Sequence, residues 1–527
     1  MNDRRYRSYS FGVTLVILFA SIFSLWQGIY SVDPHHWGIV LSNAKDLLDG
    51  LAPYRDVAIG YGILTPLIQG LLFEFTSQSL ISIQVPTVAC YGVGLWILFR
   101  LAVCLTNDSR LSFYILCGCV LIHPVVIYPW PNYIAFPFLM GGVFYVVKDN
   151  PTRIESFISG LLFSLATLAR AEYLIVAMFI FFVAPGINLV ANHATWRHSL
   201  AQFFYSMGGL LLPLGIFGIY LTANDLVGYW FGLSWTLPFV ATPKLFEHMG
   251  GLGIFDSLIR VAVWGFSQFN VRLIVIYLMI VINIIYCLIY LCRRSALFKQ
   301  AGLVKTSIVS LLCVGQLLHL PEIFRVATGA IIGLIIVYVL LKKIKLDRVF
   351  FILTSVIFIF VLPPTTVESG NYFMPSKETI STAKMVREPA IFKYQLWPEP
   401  VAEYYTQLSN DMTSIKNLNC GVKYHFNYAI DVFLHVISPF KKYQVLPFDN
   451  PLMHPAFEMI RPDILPIEEK QKDLDVMIMR LIPNEEADAF TAPSGYFIYK
   501  KYLTPSMVFV PVNHTLILMV PEACRIK

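Results

Sequence analysis

Apolar runs long enough to cross a bilayer follow one another from Phe11 to about Pro363, and nothing else in the sequence restricts the fold so tightly. A spanning helix takes about 17–25 such residues. The runs lie near 11–30, 80–101, 111–129, 132–147, 154–169, 172–190, 200–222, 271–291, 306–320, 326–341 and 349–363, which predicts about eleven transmembrane helices. Lipid offers no partner to open backbone, so these spans must be helical. Only 14% of the 527 residues are charged, against about 25% in soluble domains. The expected class is an all-α polytopic membrane protein. Val57–Phe75 is also apolar, but Gly60, Gly62 and Pro66 break it, and it reads as interfacial or re-entrant. Phe11–Tyr30 follows a basic Met1–Arg7 and lacks the short apolar core and small-residue cleavage site of a cleaved signal. It reads as a retained signal-anchor.

Basic residues set the orientation. With the N-terminus inside, inner loops hold Arg4, Arg5, Arg7, Arg100, Arg110, Lys148, Arg153, Arg197, Arg293, Arg294, Lys299, Lys305, Lys342, Lys343, Lys345 and Arg348. Outer loops hold Lys45, Arg55, Arg170, Lys244, Arg260, Arg272 and Arg325. Sixteen against seven is the direction of the positive-inside rule. The formal net charge of +6 therefore orients helices and points to no nucleic acid. Outer cations are accompanied by Asp33, Asp56, Glu172, Glu247, Asp256, Glu322, His123 and His319. A polar site at one face is expected, whereas a transport path would place such groups along mid-helix positions.

Beyond Pro363-Pro364 the chain is richer in charge and has no run of bilayer length. Val401, Tyr404, Tyr405, Leu408, Met412, Ile415 and Leu418 recur at helical spacing. Asp475–Ile482, Gly495–Tyr502 and Thr515–Val520 read as strands. Residues 364–527 are thus expected to form a soluble α+β domain on the outer face, after a membrane domain at 1–363. Cys420 and Cys524 would be able to pair there in an oxidising compartment, though the sequence leaves their separation open. The nine cysteines show no metal-ligand spacing.

The densest polar stretch is Ser31–Gly62, directly after the first span. Asp33, His35, His36, Lys45, Asp46, Asp49, Arg55 and Asp56 all fall in it, and each would cost at least about 2.5–3.5 kcal/mol at the bilayer centre. Leu41, Leu47, Leu48 and Leu51 recur at helical spacing, which predicts an amphipathic helix on the outer leaflet. Pro53-Tyr54-Arg55-Asp56 then turns the chain, and Gly60 and Gly62 loosen it before it re-enters apolar surroundings. A plain solvated connector is the competing reading.

Asp33, then Gly50-x-x-Pro53-Tyr54-Arg55-Asp56, then Gly60 and Gly62, resembles the first external loop of the integral-membrane glycosyltransferases with the GT-C fold, in particular bacterial members that take sugars from polyprenyl-phosphate carriers. The likeness covers about residues 1–360. It implies a sugar donor on polyprenyl phosphate, a glycan or glycolipid acceptor, contact with membrane lipid, and transfer with inversion. It also implies a bacterial inner membrane, with the N-terminus cytoplasmic and the C-terminal domain periplasmic. Asp33 takes the position of the catalytic carboxylate. The family's loop often has two acidic residues one apart; here the second place is His35, so the resemblance implies no particular cofactor and leaves a divalent metal open.

The chemistry suits these residue types. An acceptor hydroxyl is a weak nucleophile and needs a carboxylate to take its proton, and a departing phosphate needs donors. Arg170 and Arg325, at outer helix ends, suit phosphate through their forked guanidinium groups. Glu172 in Arg170-Ala171-Glu172 and Glu322 in the His319–Arg325 hairpin accompany them, with interfacial salt bridges as the plainer alternative. His35 and His36 could hold a metal or the donor phosphate, or be structural. The aromatic-rich loop Thr222–Arg260 reads as a cover over substrate or a lipid-facing helix. The rival function is a lipid or polysaccharide transporter or flippase.

Overall fold

A computed structural model of the chain describes residues 3–123, 127, 129–241, 271–293, 300–315, 328–356, 377–443, 475–505, 507 and 513–525. Its first part is a succession of helices: α1 (Asp3–Tyr30), α2 (His36–Leu48), α3 (Leu64–Phe75), α4 (Leu80–Thr106), α5 (Ser109–Ile122), α6 (Pro131–Val146), α7 (Arg153–Ala169), α8 (Tyr173–Val190) and α9 (Trp196–Ala223). Helices Val271–Cys292, Ala301–Val314, Leu334–Lys343 and Asp347–Val356 continue the series.

Among the described residues, five helices are long and apolar enough to cross a membrane: Tyr9–Tyr30, Leu80–Thr106, Tyr173–Val190, Trp196–Ala223 and Ile274–Cys292. The expected count of eleven is therefore not reached. The physical causes are local. The run at 111–129 is helical only to Ile122, two residues before Pro124, which disfavours helix ahead of it. The run at 326–341 opens with a 3-10 turn, Ala330–Gly333, before its α-helix. The runs at 306–320 and 349–363 extend beyond the described residues. α3, with 12 residues, reaches about 18 Å, short of the roughly 30 Å hydrocarbon layer. That agrees with its reading as a segment that does not span.

The helices run back and forth, and their polar ends sort into two groups. At one end Lys342 pairs with Asp108 at 2.7 Å, Lys148 with Glu155, and Lys305 Nζ donates to the carbonyls of Val146 and Lys148. These residues belong to loops expected on one side. At the other end lie the segment after α1, the start of α6 and the junction of α7 and α8.

The C-terminal region, also described from residue 377, carries a two-stranded ladder of β1 (Ala383–Met385) and β2 (Leu396–Pro398). A five-stranded sheet follows in the order β4-β3-β5-β7-β6, built from β3 (Tyr424–Tyr428), β4 (Lys441–Lys442), β5 (Val476–Pro483), β6 (Tyr496–Leu503) and β7 (His514–Pro521). β3 runs parallel to β4 and β5, while β7 is antiparallel to β5 and β6. The helix Glu399–Asn417 buries Val401, Tyr404, Tyr405, Leu408, Met412 and Ile415, the stripe its spacing predicts. The three expected strands are present, each displaced by one residue or less at its ends.

Cys420 and Cys524 are joined, closing 104 residues of chain around the sheet. Cross-linking a loop of that length restricts the unfolded chain and stabilises by about 2–5 kcal/mol. The double substitution C420S/C524S is expected to lower the unfolding midpoint in detergent. Reducing agent should do the same to the wild type and leave the double variant unmoved.

Candidate active site

α2 owes its position to Asp33. The Asp33 carbonyl accepts the Trp37 N–H at 3.2 Å, its Oδ1 accepts the His36 backbone N–H at 2.9 Å, and its Oδ2 lies 2.9 Å from His36 Nδ1. Aspartate before a first helical turn satisfies donors that the helix leaves open. Pro34, next in line, has the φ that such a start requires and no N–H to waste. The carboxylate also meets the positive end of the helix dipole. Asp33 is 3% exposed and His36 7%, so a charge that would be costly alone is held by bonded partners. The amphipathic helix expected on the leaflet surface is instead enclosed: Trp37, Leu41 and Ala44 are buried, and so is Asp46.

Aromatic contacts carry the assembly across to α6 and α7. The His36 ring meets Trp130 edge-on at 5.1 Å, and Trp130 meets Tyr61 at 5.1 Å. The Arg170 guanidinium lies over the Tyr61 ring, 5.3 Å from its centre. Arg170 is fully buried. Its Nε and Nη2 donate to the two carboxylate oxygens of Glu172 at 2.9 and 3.0 Å, and Nη1 donates to Asn132 Oδ1. Gly62 makes the approach feasible, since a Cβ there would stand 2.2 Å from the Leu168 carbonyl oxygen. It fastens the loop against the end of α7, where looseness was expected. Thr65 Oγ1 adds a bond to the Ala169 carbonyl at 3.2 Å.

Asp33, His36, Arg170 and Glu172 thus come together, joined through Tyr61, Trp130 and Asn132. Sequence reasoning missed those three as site components. In the sequence Trp130 reads as an aromatic interface anchor in an outer hairpin from His123 to Pro131, and Asn132 as the first residue of the apolar run 132–147; the buried polar group beside a proline was the available signal. Arg55 and Asp56 form a separate rim. Asp56 takes the Arg55 guanidinium at 3.0 and 3.1 Å and the Ala52 N–H at 3.0 Å, and the Arg55 side chain is 51% exposed. Behind this turn Tyr54, Val57 and Ile59 pack against Leu221, Leu226 and Leu233, the described beginning of the aromatic-rich loop. Glu322, Arg325 and His319 lie outside the described residues.

The C-terminal region covers α2 from the other side. Asp46 receives Lys442 Nζ at 2.6 Å and His435 Nε2 at 3.2 Å, and His435 Nδ1 lies 2.9 Å from His425 Nε2. Burial opposes the Asp46 charge, but these cationic and donor groups outweigh it and hold the carboxyl well below the usual carboxylate range. Burial also keeps His435 below the ordinary imidazole value. Asp431, buried and bonded by the Tyr405 hydroxyl at 2.9 Å, is pushed up to about 7 by its burial. Among the described residues no cluster of three metal-ligating side chains occurs.

No family model matches the sequence, and no curated protein matches it. Solved structures do. ArnT from Cupriavidus metallidurans bound to undecaprenyl phosphate superposes with a TM-score of 0.53 at 10% identity, covering 99% of each chain. Its apo state gives 0.50 at 8% identity, with 98% of each chain covered. The chain has the GT-C fold. An oligosaccharyltransferase from Archaeoglobus fulgidus aligns at a TM-score of 0.46 and 11% identity, over 98% of this chain and 76% of that one.

Burial, and after it the neighbouring His36, push the His35 imidazole of this GT-C chain down to about 4. An unfolded histidine titrates near 6.5. Between those values the unfolded chain binds the extra proton, so the folded state loses stability as pH falls through that window. The full effect is about 3 kcal/mol at most. Thermal unfolding followed from pH 7.5 to 4 should show a steeper loss in the wild type than in His35→Gln, since the other buried histidines contribute equally to both.

Proposed function

We propose that this GT-C protein is an inverting glycosyltransferase that moves a sugar from a polyprenyl-phosphate carrier to a lipid-linked glycan or another hydroxyl acceptor at the extracytoplasmic face of a bacterial inner membrane. The observation that carries the proposal is the seat of Asp33. It is a buried carboxylate directly after the first span, oriented by His36 and tied through Trp130 and Tyr61 to the Arg170–Glu172 pair. The whole-length likeness to ArnT, solved with undecaprenyl phosphate bound, supports the donor class.

Asp33 acts as general base. It takes the proton of the acceptor hydroxyl as that oxygen bonds to the anomeric carbon. The bond from that carbon to the phosphate oxygen breaks on the opposite face, and the polyprenyl phosphate leaves with the electron pair. The Arg170 donors are committed to Glu172 and Asn132, so this arginine fixes Tyr61 and the α7–α8 junction. Arg55, half exposed and set by Asp56, is assigned the contact with the departing phosphate. The membrane domain ends near residue 363, and the C-terminal domain faces the periplasm. The disulfide supports that side, because such bonds persist in oxidising compartments.

Structural analysis of cell-envelope glycans from cells with and without the gene should reveal one missing sugar and so identify donor and acceptor. Complementation with Asp33→Asn at matched protein level is expected to lower transfer by about 10²–10⁴-fold, the range for loss of a positioned base. Unimpaired transfer in that variant, or an unchanged glycan profile with altered lipid movement, would remove the proposal in favour of transport.

A further inference from the structure

The C-terminal region grips the segment around Asp33 on both flanks. Two residues before it, the Ser31 carbonyl accepts the indole N–H of Trp397 at 3.0 Å. Two residues after it, the His35 ring bonds to the backbone of Ile430. Gly38, one turn into α2, lies against Val432 so closely that a Cβ at Gly38 would stand 2.6 Å from the valine Cβ. Farther along the same helix Lys45 Nζ donates to the Val436 carbonyl at 3.2 Å, and Asp46 holds Lys442 and His435. Residues 35, 38, 45 and 46 share one face at helical spacing. Tyr405, which bonds Asp431, also lies within electrostatic reach of Asp33.

Trp397 is itself locked. It is fully buried, stacks on Phe433 at 5.9 Å and packs against Phe392 at 4.7 Å. Its N–H therefore has a defined direction, and so does the carbonyl it holds. A base must sit within about 0.5 Å of its productive place, and a shift of about 1 Å costs up to 10²-fold in rate. The two residues on either side of Asp33 are pinned by a part of the chain that begins more than 350 residues later.

We infer that the Ile430–Val432 turn, together with Trp397, is a positioning element for Asp33. On this view the C-terminal region holds the base in register, apart from any part it has in receiving the acceptor. The inference rests on the reading of Asp33 as the base.

Gly38→Ala drives a methyl group against the Val432 Cβ and tilts α2, and Val432→Gly in the same chain removes that Cβ and makes room for it. Trp397→Phe keeps the ring packing and removes the Ser31 bond. Full-length variants are compared in the deletion strain, with the rate of glycan modification read by mass spectrometry at matched protein level. The purified proteins are titrated with undecaprenyl phosphate. Gly38→Ala and Trp397→Phe are each expected to slow modification about 10–100-fold, with the undecaprenyl phosphate dissociation constant changed less than about 3-fold, as for loss of an interaction that acts on the rate and not on binding. G38A/V432G is expected to return near the wild-type rate.

Wild-type rates in both single variants would overturn the inference, as would a slow Gly38→Ala that Val432→Gly does not restore. If Gly38→Ala fails to accumulate, Trp397→Phe decides alone. Asp33→Asn is run in parallel. Full activity there removes the reading of Asp33 as base, whereas an inactive Asp33→Asn beside unimpaired Gly38→Ala and Trp397→Phe removes only the positioning role.

Discussion

A carboxylate taken out of water has to be given donors, and α2 carries one such group before its first turn and one in its last. Asp33 is answered from within the loop, by the backbone and ring of His36. Asp46 is answered from the far end of the chain, by Lys442 and His435. Neither charge would be tolerated at that burial unpaired. The two demands together fix where α2 lies: one end against the membrane helices through Trp130, the other beneath the C-terminal region. The rest of the polar end is arranged around a helix that cannot rotate or slide without stranding a charge.

The arginine at the α7–α8 junction follows the same logic with a different outcome. Its guanidinium is closed by Glu172 and Asn132 and faces Tyr61. A fully enclosed cation with each of its three nitrogens already bonded is better placed to hold neighbours than to meet a ligand that comes and goes. The Arg55 side chain, by contrast, is steadied by Asp56 and is 51% exposed. Burial thus sets two residues of the same type apart, one enclosed and one half exposed.

What the sequence made legible follows from how far each interaction reaches along the chain. Asp33 could be picked out because it follows a span at once, and the pairing of Arg170 with Glu172 because two residues separate them. The stripe from Val401 to Ile415 was readable because helical periodicity is local. The partners of Asp46 were not readable: Lys442 is an unremarkable basic residue until the fold brings it beneath α2. Gly62 was misread for a similar reason, since a glycine that permits close approach looks the same in one dimension as one that permits bending. Among the described residues fewer helices of spanning length occur than apolar runs, because hydropathy measures apolar length and is blind to 3-10 turns and short helices that end early, as at Ala330–Gly333.

The tie between Ser31 and Trp397 spans 366 residues, and that between Asp46 and Lys442 spans 396. At synthesis rates of roughly 5–20 residues per second, tens of seconds separate the emergence of the two halves. During that interval the first membrane helices can insert while the reactive loop still lacks its cover. A chain truncated or stalled before the last third would therefore hold its membrane helices while Ser31 and Asp46 lacked Trp397 and Lys442.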